Sequence, residues 1–108
     1  MLSEQDFRVK SDNALGRARH ALLPLADEEG FEVELQNGVL DLVFEEPRGG
    51  KFVVSPNAPV RQIWVSAMSK SYKLAWDDAR DTFALNGEPL IDLLNRLTRE
   101  FLGRESDR

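Results

Sequence analysis

The chain has 108 residues, contains no cysteine and carries a formal net charge of −5, with 19 acidic and 14 basic side chains. The lack of cysteine excludes disulfide scaffolds, thiolate zinc sites and cysteine nucleophiles. The negative charge disfavours nucleic acid, because phosphate backbones are repelled. The length suits one domain, residues 1–108. The N-terminus lacks a signal-peptide pattern and no stretch is apolar enough to cross a membrane, so we expect a cytoplasmic protein.

The first predicted element is a helix from about Glu4 to Leu23. Ser3, with Asp6 three residues later, suits a capping pair at its start. Pro24 lacks an amide donor, so we expect the helix to kink or end there. The apolar residues that recur at helical spacing are Phe7, Ala14, Leu15, Ala18, Leu22 and Leu25.

From Phe31 the hydrophobic period changes to two, which predicts strands. Two alternating runs flank Asn37-Gly38, a pattern typical of a β-hairpin. A turn is predicted at Pro47-Arg48-Gly49-Gly50. Pro56 and Pro59 are expected to bracket a loop that interrupts the ladder. The later predicted strands are Lys51–Ser55, a strand that starts at about Val60 and contains Trp64, Tyr72–Trp76 and Thr82–Leu85.

A second amphipathic helix is predicted after the strands. Glu88 and Pro89 suit its first turn, and its apolar stripe ends at Gly103, with a frayed tail from Arg104 onward. Two helices separated by an antiparallel meander predict an α+β two-layer sandwich, in which both terminal helices pack on one face of a five- to six-stranded sheet. The second face of that sheet would be open to solvent.

Trp64 is the side chain whose placement matters most for function. Strand alternation puts Ile63 and Val65 on one face and Gln62, Trp64 and Ser66 on the other. The β-branched pair is the better core set, which would turn the indole outward, where protein interfaces use aromatic anchors. Alternation alone equally allows the reverse register, with Trp64 in the core. The open sheet face of the sandwich favours the outward orientation.

Acidic residues concentrate between Asp27 and Glu46, where eight acids occur without lysine or arginine. Such a run is most often a solvated face, and the alternative is a cation site or a docking surface for a basic partner. Carboxylates are ligands that iron accepts when no thiolate is present, and an open cluster of them binds weakly. The candidate ligands lie at a predicted chain turn and on one strand face, where alternate residues are about 7 Å apart: Asp27, Glu28, Glu29, Glu32 and Glu34.

An enzyme is not predicted. The sequence offers no recognisable nucleophile with a neighbouring base. Gly49-Gly50-Lys51 lacks the upstream glycine and the following serine or threonine of a phosphate-binding loop, and it precedes a strand. His20, the only histidine, stands beside Arg19 and is better explained as a solvated residue than as a metal ligand.

Several segments occur together in one order: Asn37-Gly38-Val39-Leu40 after an acidic strand, residues 53–67, Tyr72, and Gly87-Glu88-Pro89-Leu90. In this order they resemble the frataxin family, in its bacterial CyaY form, over essentially the whole chain. The resemblance implies an iron-binding regulator or iron chaperone of iron–sulfur cluster assembly that docks on the cysteine desulfurase and the scaffold protein. It implies weak, reversible binding of Fe²⁺ or Fe³⁺ and a monomer without iron. The partner-binding residues it implies are Ser55, Asn57, Pro59, Gln62 and Trp64.

The sequence departs from the family pattern in two places. Ser55 and Asn57 stand where members usually carry asparagine and glutamine. The acidic ridge late in the first helix is thin, which displaces any iron site to the helix end and first strand. A protein-interaction module with little iron binding is therefore the alternative. The non-acidic residues at the ridge positions are Arg19, His20, Leu23, Pro24 and Ala26.

Overall fold

Seven antiparallel strands form one meandering sheet in which neighbours in sequence are neighbours in space, with one helix before it and one after it. The computed structural model describes residues 2–45 and 49–106. The predicted turn residues Pro47 and Arg48 lie outside this described part. The elements are α1 (Glu4–Glu29), β1 (Phe31–Gln36), β2 (Val39–Phe44), β3 (Lys51–Asn57), a 3₁₀ turn (Ala58–Val60), β4 (Gln62–Ala67), β5 (Lys70–Asp77), β6 (Thr82–Leu85), β7 (Glu88–Pro89) and α2 (Leu90–Ser106).

Helix α1 begins as predicted but ends later. The Ser3 side chain accepts a hydrogen bond from the amide of Asp6 at 3.1 Å. The helix then continues through Pro24 to Glu29, so the prediction that it ends at Leu23 was wrong. Leu22 and Leu25 are both buried, and this continuous apolar face outweighs the local penalty of an exposed proline. Gly30, with φ of 80°, caps the helix C-terminus.

We expect Pro24→Ala to raise the free energy of unfolding by about 1–2 kcal/mol. Alanine restores the amide donor to the His20 carbonyl and removes a ring clash, and the greater entropy of the unfolded chain offsets part of that gain. Urea unfolding would measure it. Pro59→Ala is the matched control, since Pro59 lies in the first turn of the 3₁₀ segment, where proline fits, and its replacement should not stabilise. A Pro24→Ala protein no more stable than wild type would contradict the expectation.

The first hairpin is confirmed, and the third strand is longer than predicted. Asn37 and Gly38 both have positive φ, 53° and 76°, as a two-residue turn between twisted strands requires. Pro56 lies inside β3, opposite Ile63 of β4. The prediction that it interrupts the ladder was therefore wrong. The pairing of β3 with β2 stops at Val54, so the missing amide of Pro56 lies where β3 has β4 as its only neighbour.

The remaining differences involve strand and helix ends. Strand β4 starts at Gln62 because residues 58–60 form the 3₁₀ turn. Strand β5 extends two residues earlier and one later than predicted. Glu88–Pro89 pairs with β6 as a short seventh strand after the Asn86-Gly87 turn, so α2 begins at Leu90. Helix α2 also continues past Gly103 to Ser106, where a frayed tail was expected.

The two helices cover one face of the sheet, and the predicted two-layer α+β sandwich is confirmed. The core contains inward residues of the strands together with the apolar faces of both helices. Ile63 and Val65 are each 0% exposed, which confirms their assignment to the core. Within the described residues, no helix is both long and apolar enough to span a membrane.

Candidate interaction and metal-binding surfaces

Trp64 lies on the sheet face that the helices do not cover. Its neighbours along β4, Ile63 and Val65, point into the core, so its side chain points the other way and is half-buried. The indole Nε1 donates a hydrogen bond to Oε1 of Gln62 at 2.9 Å. This hydrogen bond orients the ring, and the outward register predicted from the sequence is the one observed.

The residues next to Trp64 on this face come from β3 and β5. Ser55 is directly opposite Trp64 on β3, Lys73 is directly opposite it on β5, and Asn57 is opposite Gln62. The sheet thus brings four of the five predicted partner-binding residues together on one face. Together with Lys73 they are named here the Trp64 surface: Ser55, Asn57, Gln62, Trp64 and Lys73.

Pro59 and Lys73 differ from the sequence-based expectation. Pro59 is exposed in the 3₁₀ turn beyond the end of β3, so it borders the Trp64 surface rather than lying on the sheet face. The Lys73 ammonium lies 4.9 Å from the centroid of the Trp64 ring, within the range of a cation–π contact. The sequence held a signal for Lys73, because Tyr72 and Leu74 alternate with it and take the inner face.

The predicted metal ligands are all exposed, but they do not all lie at a chain turn. Asp27, Glu28 and Glu29 form the last turn of α1, whereas Glu32 and Glu34 lie on the outward face of β1. The turn expected at Asp27 is absent because the helix continues through Pro24. Only Gly30 and Phe31 separate the helical acids from the strand acids. These five residues are named here the acidic surface.

The acids in the last turn of α1 occupy an electrostatically unfavourable end of the helix. The carbonyl groups at a helix C-terminus carry partial negative charge, so carboxylates there are destabilising and basic residues are favoured. The last turn of α1 contains no basic residue. Helix stability therefore does not explain why Asp27, Glu28 and Glu29 occupy this position.

The acidic surface does not form a closed metal site. Among the residues that the structure describes, no group of three or more histidine, aspartate or glutamate side chains could hold a metal ion together. Glu34 lies directly opposite Asp41 of β2, a carboxylate pairing across the hairpin that sequence analysis missed. An ion on this surface would contact one or two carboxylates and keep most of its water. His20 is exposed on α1.

Two carboxyl groups elsewhere have perturbed acidities because of ion pairs. A hydrogen bond from the Arg80 side chain lowers the pKa of Asp77, and one from Arg96 lowers the pKa of Glu88. The Arg96 guanidinium contacts both carboxylate oxygens of Glu88 at 2.9 Å, which ties β7 to α2. Both pairs hold turns and termini in place and neither belongs to the two surfaces defined above.

Sequence comparison adds an independent observation. A family model described as a frataxin-like domain matches residues 1–104. A Pseudomonas aeruginosa protein named iron-sulfur cluster assembly protein CyaY is 37% identical over 83 residues, which are 73% of this chain and 75% of the relative. A protein of the same name from Ectopseudomonas mendocina is 32% identical over 108 residues, which are 96% of this chain and 93% of the relative. The chain therefore belongs to the frataxin-like family, in its bacterial CyaY group.

Proposed function

We propose that this protein regulates iron–sulfur cluster assembly by docking on the cysteine desulfurase and the scaffold protein, without itself catalysing a reaction. The relatives named above carry a name that refers to this process. The observation that carries the proposal is the half-buried indole of Trp64, which Gln62 orients on a sheet face that neither helix covers. A fixed aromatic ring loses little conformational entropy on binding, which makes it an effective interface anchor.

The acidic surface supports docking in a different way. Its carboxylates are exposed and come from the last turn of α1 and from β1, which follows it directly, so they create a negative field that attracts a basic partner. Such a field accelerates encounter more than it holds the complex together. The Trp64 surface then provides the short-range contact.

Iron is proposed as a weakly held cargo rather than as a resident cofactor. Fe²⁺ and Fe³⁺ accept carboxylate and water oxygens, and Asp27, Glu28, Glu29, Glu32 and Glu34 provide the carboxylates. One or two protein ligands give low affinity and little selectivity against other divalent ions. Release to a site with more ligands would then require little energy.

A pure interaction module is the second candidate function. It is favoured by the lack of a three-ligand group among the described residues and by the basic side chains of Arg17 and Arg19 on α1. An anaerobic Fe²⁺ titration followed by amide NMR separates the candidates. The iron-binding regulator requires shifts concentrated in residues 27–34, and the interaction module requires none there.

Docking itself is tested by a pull-down with purified cysteine desulfurase and scaffold protein from the source organism. We expect retention of the wild-type protein at low salt and loss of retention for Trp64→Ala. Equal retention of wild type and Trp64→Ala would exclude Trp64 as the anchor. If neither wild type nor Trp64→Ala were retained, the proposed function would be contradicted.

We expect the combined variant Glu28→Gln, Glu29→Gln, Glu32→Gln to melt at a higher temperature than wild type and to take up less Fe²⁺. Neutralising the two helical acids removes an unfavourable interaction with the helix C-terminus, which is typically worth about 0.3–1 kcal/mol for each charge. Neutralising Glu32 also relieves the repulsion between like charges on the acidic surface. Thermal melts with and without Fe²⁺ measure both effects.

A control with the same change in charge uses acids in the first turns of the two helices: Glu4→Gln, Asp6→Asn and Asp92→Asn. There the carboxylates are favourable, so this variant should melt lower than wild type and leave Fe²⁺ uptake unchanged. Unchanged uptake in the first variant would argue against the acidic surface as the iron site, and a higher melting temperature for the control would argue against the explanation from the helix C-terminus.

A further inference from the structure

Among the residues that the structure describes, the cation beside Trp64 has no carboxylate partner. Lys73 is exposed, and within residues 2–45 and 49–106 the ion pairs involve other side chains. Its ammonium instead lies 4.9 Å from the centroid of the Trp64 ring. In the free protein, water solvates the part of the ammonium that the ring does not face.

A partner that covers the indole must also cover this ammonium or leave a water-filled gap beside it. The two side chains are directly opposite each other on adjacent strands, about 5 Å apart at Cβ. Removing water from an unpaired ammonium is strongly unfavourable unless an anion or several hydrogen-bond acceptors replace it. A partner that merely offered an apolar pocket to Trp64 would therefore pay this desolvation penalty in full.

Within the part of the chain that the structure describes, no carboxylate on this face lies next to Lys73. Apart from Lys73, the outward neighbours of Trp64 on β3, β4 and β5 are uncharged: Val53, Ser55, Asn57, Gln62, Ser66, Ser71 and Ala75. The carboxylates at the outward alternation are distant from Lys73: Glu32, Glu34 and Asp41 lie on β1 and β2, with β3 between them and β4. Asp77 is four residues along β5 from Lys73, or roughly 13 Å, and pairs with Arg80. Lys51, also on the outward face, is four residues along β3 from Ser55, or roughly 13 Å.

We propose that the partner presents a carboxylate to Lys73 next to the apolar pocket that receives Trp64. This inference rests on the proposed docking through Trp64 and specifies the chemistry of the docked segment. On this sheet face the carboxylates Glu32, Glu34 and Asp41 lie on β1 and β2, and the ammonium of Lys73, which has no carboxylate partner among the described residues, lies on β5, with the indole between them. The partner segment is therefore oriented, with its carboxylate toward β5 and its basic residues toward β1.

The test compares Lys73→Glu, Lys73→Met and Lys73→Arg for binding to the purified desulfurase and scaffold by surface plasmon resonance. Lys73 is exposed, so thermal melts should match wild type. We expect Lys73→Glu to reduce affinity at least tenfold, Lys73→Met to reduce it less, and Lys73→Arg to retain it, because arginine also pairs with a carboxylate. The control is Lys70→Glu, an exposed residue at the opposite alternation on the same strand with the same change in charge. It should bind as wild type.

The outcomes separate this inference from the proposed function. If Lys73→Glu binds as well as wild type while Trp64→Ala still binds weakly, docking through Trp64 stands and the carboxylate partner does not exist. If Lys73→Glu and Lys70→Glu weaken binding equally, the effect is one of net charge and the inference fails. If neither Trp64→Ala nor Lys73→Glu changes binding, both the inference and the Trp64 contact are wrong.

Discussion

Replacing Trp64 with alanine is expected to reduce affinity for the assembly proteins about 30-fold or more while the fold survives. The loss corresponds to about 2 kcal/mol, typical of a central aromatic anchor. The indole is half-buried on the outward face, fixed by Gln62 and flanked by Lys73, so its loss removes contact surface and leaves the helix–sheet core intact. Titration calorimetry against the desulfurase and scaffold measures the affinity, and far-ultraviolet circular dichroism checks the fold.

Trp76, the other tryptophan, provides a matched control. The Trp76 ring packs edge-on against the buried ring of Phe83, with 5.2 Å between the centroids. The Lys10 ammonium lies 4.3 Å from the centroid of the Trp76 ring. Trp76→Ala should therefore lower stability rather than affinity. If Trp64→Ala lowers the free energy of unfolding by several kcal/mol, or leaves the affinity for the desulfurase and scaffold unchanged, Trp64 is a packing residue and not an anchor.

Ile63→Ala is expected to destabilise the protein by about 2–5 kcal/mol, the range seen when a large aliphatic side chain is removed from a core. Ile63 is 0% exposed and lies between Pro56 on β3 and Leu74 on β5. Urea unfolding at fixed pH gives the change in free energy, with an unchanged slope showing that the unfolded state is unaltered.

Comparison of Ile63→Ala with Trp64→Ala tests the register of β4 directly. The two residues are adjacent in sequence, and their side chains point to opposite faces of the sheet. A larger loss of stability for Trp64→Ala than for Ile63→Ala would contradict the register described above.

Local patterns were enough to predict the sandwich but not the effects of proline. Asn37-Gly38 fixed the first hairpin because both residues tolerate positive φ. Pro24 was expected to kink or end α1, and the helix does not end there; Pro56 was expected to interrupt the ladder, and it does not. Pro24 is exposed within a helix whose other face is held by the core, and Pro56 lies where β3 has lost a neighbour. Both outcomes depend on tertiary packing that a local rule does not contain.

The candidate surfaces were predictable to different degrees. The outward direction of Trp64 followed from the β-branched neighbours Ile63 and Val65. The contact between Trp64 and Lys73 required the pairing of β4 with β5, which no local pattern specifies. The same holds for Glu34 opposite Asp41. The helical position of Asp27, Glu28 and Glu29 was missed because the end of α1 was placed too early.

Association and dissociation rates across a salt series, measured by surface plasmon resonance on the immobilised desulfurase and scaffold, test the proposed docking most directly. The attraction from the acidic surface is screened beyond about 8 Å at physiological salt, so it should act on the association rate, whereas Trp64 should act on dissociation. We expect the association rate to fall as salt rises, less steeply than for a fully acidic helix because Arg17 and Arg19 dilute the field. We also expect faster dissociation of Trp64→Ala at every salt concentration. An association rate indifferent to salt, together with a dissociation rate unchanged by Trp64→Ala, would contradict docking through these two surfaces.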